Sequence, residues 1–88
     1  MNGEQYLNHP MFGLLYLICP AGEGAALYST LYTQQMFFLV VTGAAPSFEP
    51  VGREQARRVV ENRIKLLRTL KGGYDELERL SQFQQRHF

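Results

Sequence analysis

Leu31-Tyr32-Thr33-Gln34-Gln35-Met36-Phe37-Phe38-Leu39-Val40-Val41 is the stretch on which the fold of this chain turns. It reads as the end of one strand, a short polar turn at Thr33-Gln34-Gln35, and a second strand that is apolar at every position. A membrane helix needs about 20 consecutive apolar residues, so this run is too short to span a bilayer. A strand apolar on both sides belongs in mid-sheet, covered on both faces. Upstream, strand periodicity puts Leu27, Ser29 and Leu31 on one face and Tyr28, Thr30 and Tyr32 on the other. The expectation is a core-facing leucine side and an outward tyrosine-threonine stripe. The turn then sets Met36 and Phe38 on one face near Tyr32, an uncharged aromatic and sulfur patch around a hairpin tip. Such a patch suits docking. The competing reading makes Met36 and Phe38 ordinary core and Tyr32 a good strand former.

Further along, Phe12 to Cys19 is a second strongly apolar strand, and Pro20-Ala21-Gly22-Glu23-Gly24 reads as a loop. Its Gly-x-Gly carries no nucleotide signal, because the third glycine, the opened helix and the later acidic residue are missing. Gly43-Ala44-Ala45-Pro46 makes another loop, and Ser47 to Val51 is a short last strand that Pro50 confines to an edge or an end. Asn8-His9-Pro10 reads as a turn, since Pro10 pushes His9 out of the helical region. Short strands at this spacing predict a small bent antiparallel sheet or partly open barrel.

At Gly52 the hydrophobic period changes from 2 to 3.6. Ala56, Val59, Val60, Ile64, Leu67 and Leu70 follow one helix face, with Glu54 in the first turn and Arg68 and Lys71 in the last. Glu54 with Arg58, and Glu61 with Lys65, are i,i+4 pairs in the favourable order. Gly72-Gly73 ends this helix, and Tyr74 to about Arg86 begins a second, with Tyr74, Leu77, Leu80, Ser81 and Phe88 on its narrower apolar side. Neither helix is stable alone in water, and the short seam between them makes the second a marginal element. The fold class is therefore α+β, with a β domain over 1–52 and a helical hairpin over 53–88.

Charge is divided along the same line. Residues 1–52 contain no Lys or Arg and carry Glu4, Glu23 and Glu49, a formal −3; residues 53–88 hold all nine basic residues against five acidic ones, a formal +4. Phosphate-backbone affinity comes from Lys and Arg displacing counterions, so the β half is a poor nucleic-acid binder. The basic first helix leaves open a Tudor/SH3-like RNA- or DNA-binding module, against a plain solvated face. No nucleophile elbow, paired carboxylates or metal constellation occurs, so the expectation is a protein that is not an enzyme and has no cofactor, metal or small-molecule ligand. The single cysteine, Cys19, lies in an apolar run and reads as a small buried hydrophobe. With no charged-then-apolar leader, a cytoplasmic location is the default expectation.

Several motifs together resemble one family. They are Tyr6-Leu7-Asn8-His9-Pro10, Phe12-Gly13-Leu14-Leu15-Tyr16, Thr30-Leu31-Tyr32, Phe37-Phe38-Leu39-Val40, Phe48-Glu49-Pro50, Gly52-Arg53, Ala56-Arg57 and Val60-Glu61-Asn62-Arg63. In this order and over nearly the whole length, they resemble the PipX family of cyanobacterial nitrogen-regulation proteins. The resemblance implies a Tudor-like (SH3-like) β domain followed by two helices. It also implies a monomeric adapter that binds the transcription factor NtcA as a coactivator when 2-oxoglutarate is high. When 2-oxoglutarate is low, it implies capture by the signalling protein PII through the same surface, with the regulator PlmA reached through PII. The family's contact positions fall on Glu4, Tyr6, Glu23, Tyr32, Gln34, Gln35, Met36 and Phe38. Two of them depart from the expected pattern: Gln35 stands where the family is expected to show arginine, and Met36 where it shows leucine. A methyl-lysine cage is a further possibility by analogy with Tudor domains alone.

Overall fold

The computed structural model describes residues 6–88. Five antiparallel strands follow in simple meander order: β1 (Tyr6–His9), β2 (Gly13–Gly22), β3 (Ala25–Thr30), β4 (Phe37–Val41) and β5 (Ser47–Val51). Two helices complete the chain, α1 (Arg53–Thr69) and α2 (Tyr74–His87). The sheet is curled into a half-barrel, and its curl can be read from side chains. The His9 ring on β1 lies 4.8 Å from the Phe48 ring on β5, across the whole width of the sheet.

This curl gives the sheet two buried faces. Leu15, Tyr28, Phe38 and Val40 form the cluster inside the curl, with Leu7, Phe12, Met36 and Phe48 packed around it. On the other face, Ile18, Cys19, Leu27 and Phe37 join Ala56, Val60, Ile64, Leu67 and Leu80 of the helices in a second cluster. β4 therefore alternates Phe37 and Leu39 toward the helices with Phe38 and Val40 toward the curl. A strand with no polar position is what this arrangement requires. The expected outward stripe on β3 is corrected: Tyr28 is 3 % exposed and Thr30 5 %, because the curl covers the face an open sheet would leave wet. β3 also stops at Thr30, leaving Leu31 and Tyr32 in the following loop.

β2 runs three residues beyond the apolar stretch, through Pro20 to Gly22. Two bulges make that possible. The shift between Leu17 and Cys19 lets Leu17 pair with Tyr28 in the curl while Cys19 pairs with Leu27 on the helix side. One inserted residue thus moves the strand's phase between the two clusters. Pro20, which lacks a ladder donor, sits next to the second bulge, between Pro20 and Gly22. Glu23 and Gly24 then close the hairpin, both at positive φ (54° and 77°), the signature of a tight primed turn. Pro50 lies on β5, an edge strand, as its missing N–H demands.

α1 buries Ala56, Val60, Ile64 and Leu67, four of the six positions its periodicity marks, while Leu70 caps the helix at 49 % exposure. α2 turns back after Gly72, whose φ of 92° suits glycine. Its anchor is Leu80 at 0 % exposure, with Leu77, Phe83 and Phe88 packed alongside. Tyr74, expected on that side, is 69 % exposed, and Phe83 takes the inward place further along the helix. The seam is reinforced by a bidentate ion pair, with Arg63 Nε and an Nη donating to Glu76 at 2.8 and 3.0 Å. Arg79 donates to the Ile18 carbonyl of β2 at 2.9 Å, so α2 is tied to the sheet as well as to α1. Burial pushes the Cys19 thiol up to about 12, which keeps it protonated and unreactive at neutral pH.

Candidate functional site

The β3–β4 connection is held shut by Thr30. Its hydroxyl donates to the Gln34 carbonyl at 3.0 Å and accepts from the Met36 N–H at 2.9 Å. The Thr30 N–H donates to the Met36 carbonyl at 3.0 Å, and the Leu31 N–H to the Leu14 carbonyl at 3.2 Å. A buried threonine closing a five-residue loop from both sides gives the tip a defined shape. At its crest Tyr32 is 80 % exposed, beside Leu31 at 40 %. In a meander the β1–β2 turn lies at the same end, and it adds Met11, 81 % exposed. That residue escapes sequence reading, because only strand order tells which turns share an end.

Not every expected contact residue reaches this rim. Tyr32, Gln34 and Gln35 are exposed on the loop, and Met36 is half-buried against the cluster inside the curl. Phe38 is 2 % exposed, with its ring centroid 5.0 Å from His9 and 5.7 Å from Phe12. A direct partner contact at Phe38 is therefore corrected to a supporting role beneath the loop: the same-face reasoning is right, but the face is the inside of the curl. Glu23 is exposed at the opposite end of β3, which at roughly 3.3 Å per residue puts about 20 Å between it and the tip. Glu4 lies outside the described residues. Tyr6, 56 % exposed, stands three residues up β1 from the rim and opens onto a cleft between the sheet and α2.

The rim and α2 touch. Gln35 Nε2 donates to His87 Nδ1 at 3.2 Å, and an Arg53 guanidinium N–H donates to the His87 carbonyl. Phe88 stacks on Phe37 at 5.7 Å, with the Arg53 guanidinium 5.2 Å from its ring. His87 is held below its ordinary value by burial, and by the nearby charges of Arg86 and Arg53. Glu76 is held below its own by the Arg63 hydrogen bonds. The signs agree. As pH falls through the ordinary imidazole value of about 6.5, the unfolded chain takes up a proton that the folded His87 resists, so stability declines. Below about 4.5 the Glu76 contribution is lost in the same direction. The thermal midpoint should fall from pH 7.5 to 5.5 in the parent protein and fall less in His87→Gln, with both dropping together below pH 4.5. Identical curves for the two proteins above pH 5.5 would contradict the assignment to His87.

His9, the other histidine, is not in the turn its sequence context predicts but is the last residue of β1, paired with Gly13; the turn begins at Pro10, and His9 Nδ1 closes it by accepting from the Met11 and Phe12 N–H groups at 3.0 and 3.2 Å. Among the described residues no group of three or more His, Cys, Asp or Glu side chains is placed to hold a metal ion, and no helix is long and apolar enough to cross a membrane.

Half of the cations on α1 are engaged in internal pairs. Arg57 bridges Glu54 and Glu61, the latter at 2.5 Å, and Arg58 approaches Glu54 at 3.9 Å. With Arg63 on Glu76, this leaves Arg53, Lys65 and Arg68 on α1 outside any ion pair among the described residues. The expected Glu61–Lys65 pair gives way to Arg57, whose fork reaches both carboxylates.

The profile of a family described as PipX, PII-interacting protein X, matches residues 3–88, essentially the whole chain. The chain belongs to the PII-interacting protein X family. No individual curated protein matches it. Membership in the PipX family makes this a PII-interacting regulatory protein. The curled sheet with two trailing helices agrees with the architecture expected from the family resemblance.

Proposed function

We propose that this protein is a cytoplasmic, monomeric adapter in nitrogen regulation that passes between two partners through one surface. With 2-oxoglutarate abundant it binds the transcription factor NtcA and acts as its coactivator. With 2-oxoglutarate scarce it is held by PII, and PlmA is reached through that complex. The observation that carries the reading is the shaped rim of Tyr32, Leu31, Gln34 and Gln35, clamped by Thr30 and left largely exposed in the free chain. Exposed aromatic residues on a rigid support are what interface centres use.

In this reading Tyr6, Tyr32, Gln34, Gln35 and Met36 meet the partners directly, Phe38 supports the loop from below, and Glu4 and Glu23 contact parts of the partners away from the tip. 2-Oxoglutarate requires no site on this chain. It alters the partners' affinities in opposite directions, and mass action redistributes the adapter. The test is a titration of the purified protein into PII and into NtcA, each with and without 2-oxoglutarate. NtcA should bind more tightly and PII less tightly when 2-oxoglutarate is present; a partner preference that does not respond to it would overturn the proposal.

A further inference from the structure

Where the helices meet the sheet, one cavity stands out by its charge. The cleft of about 350 Å³ between β1–β2 and α2 is walled by Tyr6, Tyr16 and Phe83 and carries Arg79, Arg86 and His87 along its α2 side, with no carboxylate among the described residues that line it. Arg79 is held in place by the Ile18 carbonyl, which occupies one N–H and leaves the rest of the fork free to bind. Arg86 is exposed and in no ion pair among the described residues, and its charge is close enough to act on Tyr16 and His87. Seven residues separate the two arginines on one helix, about 10.5 Å along its axis, so they bracket the opening.

This matters because the described β residues offer a partner only Glu23 and Glu49 and no cation at all. Any acidic group seated at the rim must find its counter-charge on the helices. The cleft is continuous with the tip through His87, which lines it and accepts from Gln35 of the loop. We propose that the cleft receives an acidic side chain of PII, bound by Arg86 with Arg79 beside it while Tyr32 anchors the tip. The proposal rests on the reading of the rim as the PII-facing surface. Guanidinium forks against aromatic walls suit a planar carboxylate, which they bind in bidentate fashion. An acid held there would also keep α2 folded on the sheet, since Arg79 and Arg86 both belong to α2.

The experiment is a titration of the full chain into purified PII at 50 and 300 mM salt. Arg86→Gln should weaken binding about tenfold at low salt and flatten the salt dependence, as expected for loss of a charged interface pair. Arg86→Lys should recover part of the loss, and Lys65→Gln, exposed on α1 and outside the cleft's lining, should bind like the parent. Arg79→Gln risks loosening α2, so Arg86 carries the decision. If Tyr32→Ala loses affinity while Arg86→Gln stays within twofold of the parent at both salts, the cleft assignment is overturned and the rim stands. If neither variant loses affinity, both fall. Binding of inorganic phosphate to the free chain that disappears in Arg86→Gln would make the cleft a small-anion site and overturn the proposal as well.

Discussion

Replacing Tyr32 by alanine should cost the protein about thirtyfold in affinity for PII, and similarly for NtcA, while leaving its thermal midpoint unchanged. Both halves of that expectation come from exposure. At 80 % exposed, the ring adds little to the folded state, and surface substitutions away from caps and networks fall within about 0.5 kcal/mol. An aromatic anchor at an interface centre behaves differently. Its truncation typically costs about 2 kcal/mol or more, and every 1.4 kcal/mol is tenfold in affinity. The loop beneath it stays formed, because the hydrogen bonds that close it involve Thr30, Gln34 and Met36 and none of the Tyr32 side chain. Circular dichroism before and after substitution, paired with a binding isotherm, checks both halves. Unfolding of the variant would mean that Tyr32 is core, in which case the rim is not the interface.

The mirror-image result is expected six residues further along the sequence, on the strand that follows the loop. Phe38→Ala should lose about 3–5 kcal/mol of stability, the cost of truncating a buried aromatic residue. Folded domains carry about 5–15 kcal/mol in total, and a chain of 88 residues has a modest core, so the variant should be partly unfolded near 37 °C. Phe38 packs with His9 and Phe12, which belong to the β1–β2 hairpin. Its loss opens the curl on the side where the two outer strands approach each other. Any binding defect in this variant should therefore follow the unfolded fraction and recover at low temperature. A variant that stays fully folded yet loses its partners would show that Phe38 makes direct contact and that the ring is reached by a rearranged loop.

The contrast between Tyr32 and Phe38 also shows where sequence reading stops. The apolar strand 37–41, the change of period at Gly52 and the glycine turn at 72–73 are all visible in the chain, because each is a local pattern with a local cause. Alternation says which residues share a face of the sheet but not whether that face is wet. The curl, which brings His9 to Phe48, buries Tyr28, Thr30 and Phe38 and converts an expected surface stripe into a second core. Likewise the β2 bulge is invisible to a strict period of two, so Pro20 to Gly22 reads as loop rather than strand. The Arg63–Glu76 pair joins residues 13 apart on different helices, beyond the reach of i,i+4 reasoning. Met11 and the cleft arginines belong to the candidate surface only through topology, which places one turn beside another and α2 beside β1–β2.

Two partners sharing one rim must exclude each other. A standard interface takes about 800 Å² from each side. The chain exposes 5935 Å², so area alone would allow two such footprints. Exclusion follows instead from the proposal that both are centred on the Tyr32 loop. The most direct test is size-exclusion chromatography of this protein mixed with equimolar PII and NtcA, run with and without 2-oxoglutarate. The protein should co-elute with NtcA when 2-oxoglutarate is present and with PII when it is absent, never with both in one peak. A stable ternary complex, or saturable binding of 2-oxoglutarate to the isolated chain by calorimetry, would contradict it.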